Sequence, residues 1–293
     1  MTDADKPAKV SAGILTFNRK DAVLKAIQSV YDQGWPNLEV VVVDSASTDG
    51  TAEAIRAQYP AVKLVCLPRN LGCPGGRNHI YANCTGDYIV NVDDDGYLGP
   101  DALRKVVAAF ETDPQIGVVS MRLIYIDDPQ AGRVMSEQAQ EVGSFWGGVS
   151  AFRRSMLAQT GLYPEDFFLF AEEGYLALRV MEAGYKIVSC PDAIMWHPSG
   201  GNSSVGTRWD YYRWRNPLLV VLRCFPAWLM LRYLLLRTAS YLLLSIRRGS
   251  FGRYLAAMAA VWGEVLRGLP QRRACRAETV QKLFRLRGPG KWG

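Results

Sequence analysis

Three consecutive carboxylates, Asp93, Asp94 and Asp95, close a short apolar run at residues 88–92, and Gly96 and Pro100 follow before a helical pattern begins. Adjacent like charges repel, so the cluster costs stability unless something positive offsets it. A divalent cation does this well: oxygen donors suit Mg2+ or Mn2+, which usually arrive with a phosphate-bearing substrate. An acidic turn capping the next helix is the plainer alternative. A second acidic group, Glu172-Glu173, opens another helical pattern, where carboxylates also complement the helix dipole. Asp44 ends a β-branched run; its carboxylate can accept the imide N–H of a uracil or thymine ring, or cap a turn. Gly72, Gly75 and Gly76 allow close backbone approach, and Arg77 beside them carries a fork suited to phosphate or base, or to a surface ion pair. His197, one of two histidines, precedes a glycine-containing turn; His79 falls within a helical pattern and reads as structural.

These residues need a frame, and the first 125 residues supply one. Apolar runs at 10–15, 38–43, 63–67, 88–92 and 117–124 read as strands, the second continuous enough to be buried on both faces. Helical spacing recurs at 21–33, 51–59, 75–83 and 100–111. Such alternation predicts a mostly parallel sheet wound by right-handed crossovers, with ligands at the carboxyl ends of the strands. Residues 126–144 are polar and predict a loop over the site. Helices are expected at 153–160 and 172–183, and short strands at 185–189 and 193–196.

The chain has 293 residues, 49% of them hydrophobic, which supports a large core and excludes global disorder. Its six cysteines (66, 73, 84, 190, 224, 275) show no CxxC pair and read as reduced, mostly buried thiols of a cytosolic protein. The polar first residues carry no apolar secretory segment. The net charge of +6 is unevenly distributed: residues 1–199 carry −8, whereas residues 200–293 carry 17 basic residues against three acids, a net +14. From Trp209 onward, arginines interleave with Leu, Trp and Tyr. The uncharged runs there, such as 238–246, are far below the ~20 residues of a spanning helix. This pattern predicts amphipathic helices lying in an anionic membrane interface rather than a nucleic-acid surface; a plain helical layer on the sheet is the alternative.

Several segments, in order, resemble a family 2 glycosyltransferase of the GT-A fold over about residues 10–205. They are Thr16-Phe17-Asn18-Arg19, the stretch 42–50 around Asp44, Asn70-Leu71-Gly72 with Gly76-Arg77-Asn78, Asp93-Asp94-Asp95-Gly96, the stretch 167–173, Leu178-Arg179, 183–185 and 197–201. The resemblance implies a Rossmann-like sheet flanked by helices. It makes Thr16, Asn18, Arg19, Asp44, Arg77, Asn78, Asp93 and Asp94 donor-binding residues. Asp95 is the first choice for metal, with Asp93 and His197 as further candidates. Glu172 and Glu173 take the place of an acidic pair whose second member, usually Asp, is the catalytic base. Here that member is Glu173, and Tyr175 replaces the family's next acid.

The expected protein is therefore an inverting, metal-dependent glycosyltransferase with a catalytic unit at 1–205 and a basic, membrane-attaching helical region at 206–293. It would move a sugar from a dTDP- or UDP-sugar to a saccharide or lipid-linked saccharide, at the cytoplasmic face of the cell membrane, in surface polysaccharide assembly. The segment 208–226 is similar to rhamnosyltransferase-like members, which favours dTDP-rhamnose. The competing readings are a nucleotidyltransferase, which would carry glycines straight after the first strand, and a non-catalytic sugar-nucleotide-binding protein.

Overall fold

The computed structural model describes residues 6–198 and 207–287; residues 199–201 of the last motif and the expected junction at 205/206 lie outside them. Strands β1 (Val10–Thr16), β2 (Leu38–Asp44), β3 (Lys63–Cys66) and β4 (Tyr88–Asp93) alternate with helices α1 (Lys20–Tyr31), α2 (Thr51–Gln58) and α3 (Gly72–Asn83). There follow β5 (Tyr97–Leu98), α4 (Ala102–Glu111), β6 (Ile116–Tyr125), β7 (Ser150–Arg153), α5 (Arg154–Thr160), α6 (Glu172–Glu182) and β8 (Lys186–His197). The strand order is β3-β2-β1-β4-β7-β6-β8-β5. The β1–β2, β1–β4, β2–β3 and β6–β8 pairs are parallel, and β7 is antiparallel to both β4 and β6. The two short strands expected at 185–189 and 193–196 form one strand, β8, because a register irregularity against β6 absorbs the break between them.

Both faces of this sheet are buried, which explains the continuous apolar run of β2. Val40 and Val42 face one core, with Val23, Ile27 and Val30 of α1 and Leu103 and Val106 of α4. Val41 and Val43 face the other, with Ile80 of α3 and Leu176 of α6. Period-2 alternation in the strand thus meets period-3.6 stripes on both sides.

The C-terminal helices α7 (Asp210–Cys224), α8 (Ala227–Arg247), α9 (Phe251–Leu266) and α10 (Ala277–Arg287) are no loose appendage. Trp214, Leu218 and Val221 of α7, and Val280 and Leu283 of α10, belong to the same core as Val41 and Ile80. Arg272 donates to the carbonyls of Leu222 and Phe225, satisfying the open end of α7. Arginines 232 and 237 do not interrupt α8: it is one 21-residue helix, long and apolar enough by length and composition to cross a membrane, with an 18-residue stretch of mean hydropathy 1.4. On α8, Trp228, Leu231, Leu235 and Leu243 face outward, as do Leu255 and Trp262 on α9.

Candidate active site

Parallel pairing sets the carboxyl ends of three strands side by side. Thr16 is the register partner of Asp44, and Leu15 that of Asp93. Asp44 is buried at 2% exposure. One of its oxygens accepts the Ser47 N–H at 3.2 Å, while the other, Oδ1, has no hydrogen-bond partner. A buried carboxylate oxygen left in this state favours an incoming N–H donor. Thr16 is buried beside it. Asn18 adopts a left-handed backbone (φ 52°), its N–H donating to Ser47 Oγ at 2.8 Å and its side-chain oxygen accepting the Thr48 N–H at 2.8 Å. The turns after β1 and β2 are thereby tied together around Asp44.

The aspartate triplet is offset by two basic side chains. Arg19, expected with base and ribose, instead lies across the triplet, 3.3 Å from Asp94 Oδ1 and in direct contact with Asp95 Oδ2. His197, brought in at the end of β8, places Nε2 2.9 Å from Asp95 Oδ1 and donates Nδ1–H to the Pro198 carbonyl at 2.7 Å. The hydrogen bond to Asp95 pushes the imidazole up to about 9 despite burial. Burial alone would raise Asp95, but His197 and Arg19 hold it below the ordinary carboxylate value. Asp94 goes the other way, up to about 6, through burial and the neighbouring carboxylates, with Arg19 opposing.

Among the described residues, no three His, Cys, Asp or Glu side chains are gathered as a complete metal cage. The donors at hand are Asp95 and His197, a hard oxygen and an imidazole nitrogen 2.9 Å apart. Such a pair fits a cation that keeps water and phosphate oxygens in its remaining positions.

Arg77 joins this cluster to the acidic pair. Largely buried in the middle of α3, its guanidinium lies 3.5 Å from Asp93, 4.0 Å from Glu172 and 3.9 Å from Glu173. Burial opposes its charge, yet neighbours that include Asp93 and Glu173 keep its pKa above the usual value. Glu172 is buried, and desolvation together with Glu173 pushes its carboxyl up to about 8, so it is protonated at neutral pH. The Glu173 side chain is 28% exposed against 3% for Glu172, so Glu173 is the more accessible of the two acids. Asn78, expected among donor contacts, spends its amide on both backbone groups of Tyr163, at 2.9 and 3.1 Å.

Three groups near these residues have no motif to announce them. A Cβ on Gly148 would collide with the Asp93 carboxylate, and one on Gly147 would sit 2.2 Å from Arg77 and 2.7 Å from Glu173, so only bare backbone fits between the two acidic clusters. The adjacent glycines in an apolar stretch were the available signal. Arg287, on the last turn of α10, donates to the Gly143 carbonyl at 2.8 Å and to Ser144 Oγ at 3.2 Å. Its burial, against the pull of Glu173, brings it down to about 10. Finally, Phe168, Phe170 and Ala171 have φ of 59°, 70° and 67°, which places three strained non-glycine residues in the turn before Glu172. Each costs about 1–3 kcal/mol, and such strain persists only where the surroundings over-determine it.

A doubly covered sheet with acidic residues at its carboxyl edge and helices over both faces is the architecture of a GT-A glycosyltransferase. The glycosyl transferase family 2 profile matches residues 11–166, more than half of the chain, and the chain belongs to that family. It is 29% identical to the putative glycosyltransferase EpsE of Bacillus subtilis over 208 residues, covering 63% of this chain and 74% of that one. It is 28% identical over 181 residues to the UDP-Glc:alpha-D-GlcNAc-diphosphoundecaprenol beta-1,3-glucosyltransferase WfaP of Escherichia coli, covering 60% of this chain and 72% of that protein. The mannosyltransferase PcManGT of Pyrobaculum calidifontis, in complex with GDP-Man and Mn2+, superposes with a TM-score of 0.61 at 26% identity, covering 89% of this chain and 77% of that one. The GT-A fold with C-terminal helices and the glycosyltransferase class, both expected from the sequence, therefore hold.

Proposed function

We propose that the chain transfers a sugar from a uridine or thymidine diphosphate donor to a hydroxyl of a lipid-linked saccharide in polysaccharide assembly, with inversion at the anomeric carbon. Residues 1–205 act as the catalytic unit, with α7 and α10 packed into its core, and α8 and α9 of 206–293 supply the attachment surface. The observation that carries the reading is the reach of Arg77 to both Asp93 and Glu173, which supports donor-side and acceptor-side roles for two neighbouring carboxylates. Asp44 Oδ1 takes the base N–H, and Thr16, Asn18 and Asp93 or Asp94 take base and ribose.

Glu173 acts as general base, removing the acceptor hydroxyl proton as that oxygen attacks the anomeric carbon. Its exposure supports this role, whereas the protonated, enclosed Glu172 is poorly placed to accept a proton. Arg77 holds the Glu173 carboxylate towards the cleft. Asp95 and His197, with Asp93 nearby, would hold Mg2+ or Mn2+. Such an ion supplies charge neutralisation at the departing diphosphate, as the Mn2+ bound to PcManGT also suggests. Arg19, which lies against Asp94 and Asp95, is within reach of a diphosphate bound at the triplet and would add positive charge there.

The outward apolar residues of α8 and α9 stand among exposed Arg232, Arg247, Arg253 and Arg267. That combination suits helices lying in an anionic lipid interface, with arginine heads at the phosphates. The diphosphoundecaprenol acceptor named for WfaP fits an enzyme held at such a surface. Hydrolysis of a UDP-, dTDP- and GDP-sugar panel that includes dTDP-rhamnose, with and without Mn2+, tests the reaction and selects the donor.

A further inference from the structure

The strained turn before the acidic pair has to be held by something outside itself. Three of its carbonyls, those of Phe167, Leu169 and Phe170, point at α7. The Asn216 side-chain amide, wholly buried, donates to the carbonyls of Phe167 at 2.8 Å, Leu169 at 2.7 Å and Phe170 at 3.1 Å, while its oxygen accepts from Arg215 at 2.8 Å. An amide N–H2 has two hydrogens, so the three carbonyls share them, with one hydrogen bifurcated. The start of the turn is fixed by charge. Asp166 receives Arg215 at 2.7 Å and both Arg223 nitrogens at 2.9 Å, and its carbonyl accepts from Arg215 at 2.9 Å. From the opposite side, the Cys73 N–H donates to the Phe168 carbonyl at 2.9 Å, and a side chain at Gly72 would collide with that same backbone. The turn is therefore clamped between α3 and α7, and α6 begins at its last residue.

We propose that Asn216 is a positioning residue for the reaction: by holding the carbonyls of the strained 167–170 turn it fixes the first turn of α6, and with it the direction in which Glu173 projects. The inference rests on the reading of Glu173 as base. It gives a purpose to three unfavourable backbone conformations within four residues and to a wholly buried asparagine in α7. It also makes α7 part of the catalytic apparatus although its side chains lie behind the cleft. A displacement of about 1 Å in such a group costs on the order of 10²-fold in rate.

The test uses the full chain with Asn216→Ala, the double variant Asn216→Ala with Ala171→Gly, and Glu173→Gln. Hydrogen exchange of the amides at 168–173 is the first readout, and hydrolysis of the best nucleotide sugar of the panel the second. Asn216→Ala should speed exchange at 168–173 by about tenfold or more while β1 and β4 keep their protection. It should lower kcat ~10²-fold and leave KM for the donor within about twofold. Glycine accepts the left-handed conformation of residue 171 without penalty, so the double variant should recover about fivefold of the lost rate. A purely structural asparagine would give neither the kcat-only loss nor the rescue. Unchanged exchange at 168–173, or a rise spread evenly over the sheet, overturns the proposal, as does a loss of rate that glycine fails to relieve. If Glu173→Gln stays active while Asn216→Ala loosens 168–173 and slows turnover, the base assignment fails and the clamp stands. If Glu173→Gln is inactive while Asn216→Ala matches the wild type, the clamp fails and the base stands.

Discussion

His197 Nε2 lies 2.9 Å from Asp95 Oδ1, joining the end of β8 to the aspartate triplet after β4. A protonated imidazole and a guanidinium together compensate carboxylates that would otherwise repel one another. A divalent ion can take over that task.

Asp95→Ala should therefore abolish turnover while leaving cooperative unfolding intact, and wild-type activity should require Mn2+ or Mg2+. Titration with a chelator, followed by metal readdition, checks this. Full turnover in excess chelator contradicts it.

Glu172 offers a stability prediction with a definite sign. Its folded pKa of about 8 lies above the ordinary value of 4.5, so between those values the folded state holds a proton that the unfolded chain releases. Stability should fall as pH rises through that window. Glu172→Gln removes the dependence and should raise the Tm at pH 8 more than at pH 5. Denaturation curves at the two pH values measure it. If this variant rather than Glu173→Gln is the inactive one, the roles of the two acids are exchanged.

Base preference follows from the unpartnered Asp44 Oδ1. UDP and dTDP should bind about tenfold or more tightly than GDP, the scale of one hydrogen bond to a charged group. Asp44→Asn should erase the difference. Calorimetry decides, and because PcManGT was captured with GDP-Man, a guanosine preference would be an informative refutation.

Membrane attachment should be visible by vesicle flotation. Binding should need anionic lipid and weaken with salt, each basic residue near the surface being worth about 1 kcal/mol. Removing everything from Trp209 is not a usable control, because Trp214 and Leu218 belong to the catalytic core. Leu235→Asp with Leu243→Asp changes only outward residues of α8 and should abolish flotation without loss of fold. Retained flotation in that variant contradicts the interface assigned to α8.

The sheet and the edge that carries the site were legible because β-branched runs such as 40–43 and glycine turns such as 72–76 are local signals. What each ionic side chain touches was not. Arg19 could serve a nucleotide or the aspartates equally well by type, and only the register of β1 against β4 puts it on the triplet. Asn78 looked like a ligand contact until Tyr163, far along the chain, took both ends of its amide. The arginines of α7 and α10 counted as surface charge in the sequence, yet Arg223 is enclosed and Arg287 is half-buried. Burial of arginine depends on a partner supplied by another element, here Asp166 and the Gly143 carbonyl, and no local pattern encodes it.

The central claim is that Glu173 is the base, and Glu173→Gln tests it most directly, because the substitution preserves size and hydrogen bonding and removes proton affinity. Single-turnover transfer from the donor selected by the panel should fall by ~10²-fold or more, with UDP or dTDP affinity unchanged by calorimetry. Wild-type transfer by that variant, at equal nucleotide affinity, would contradict the account.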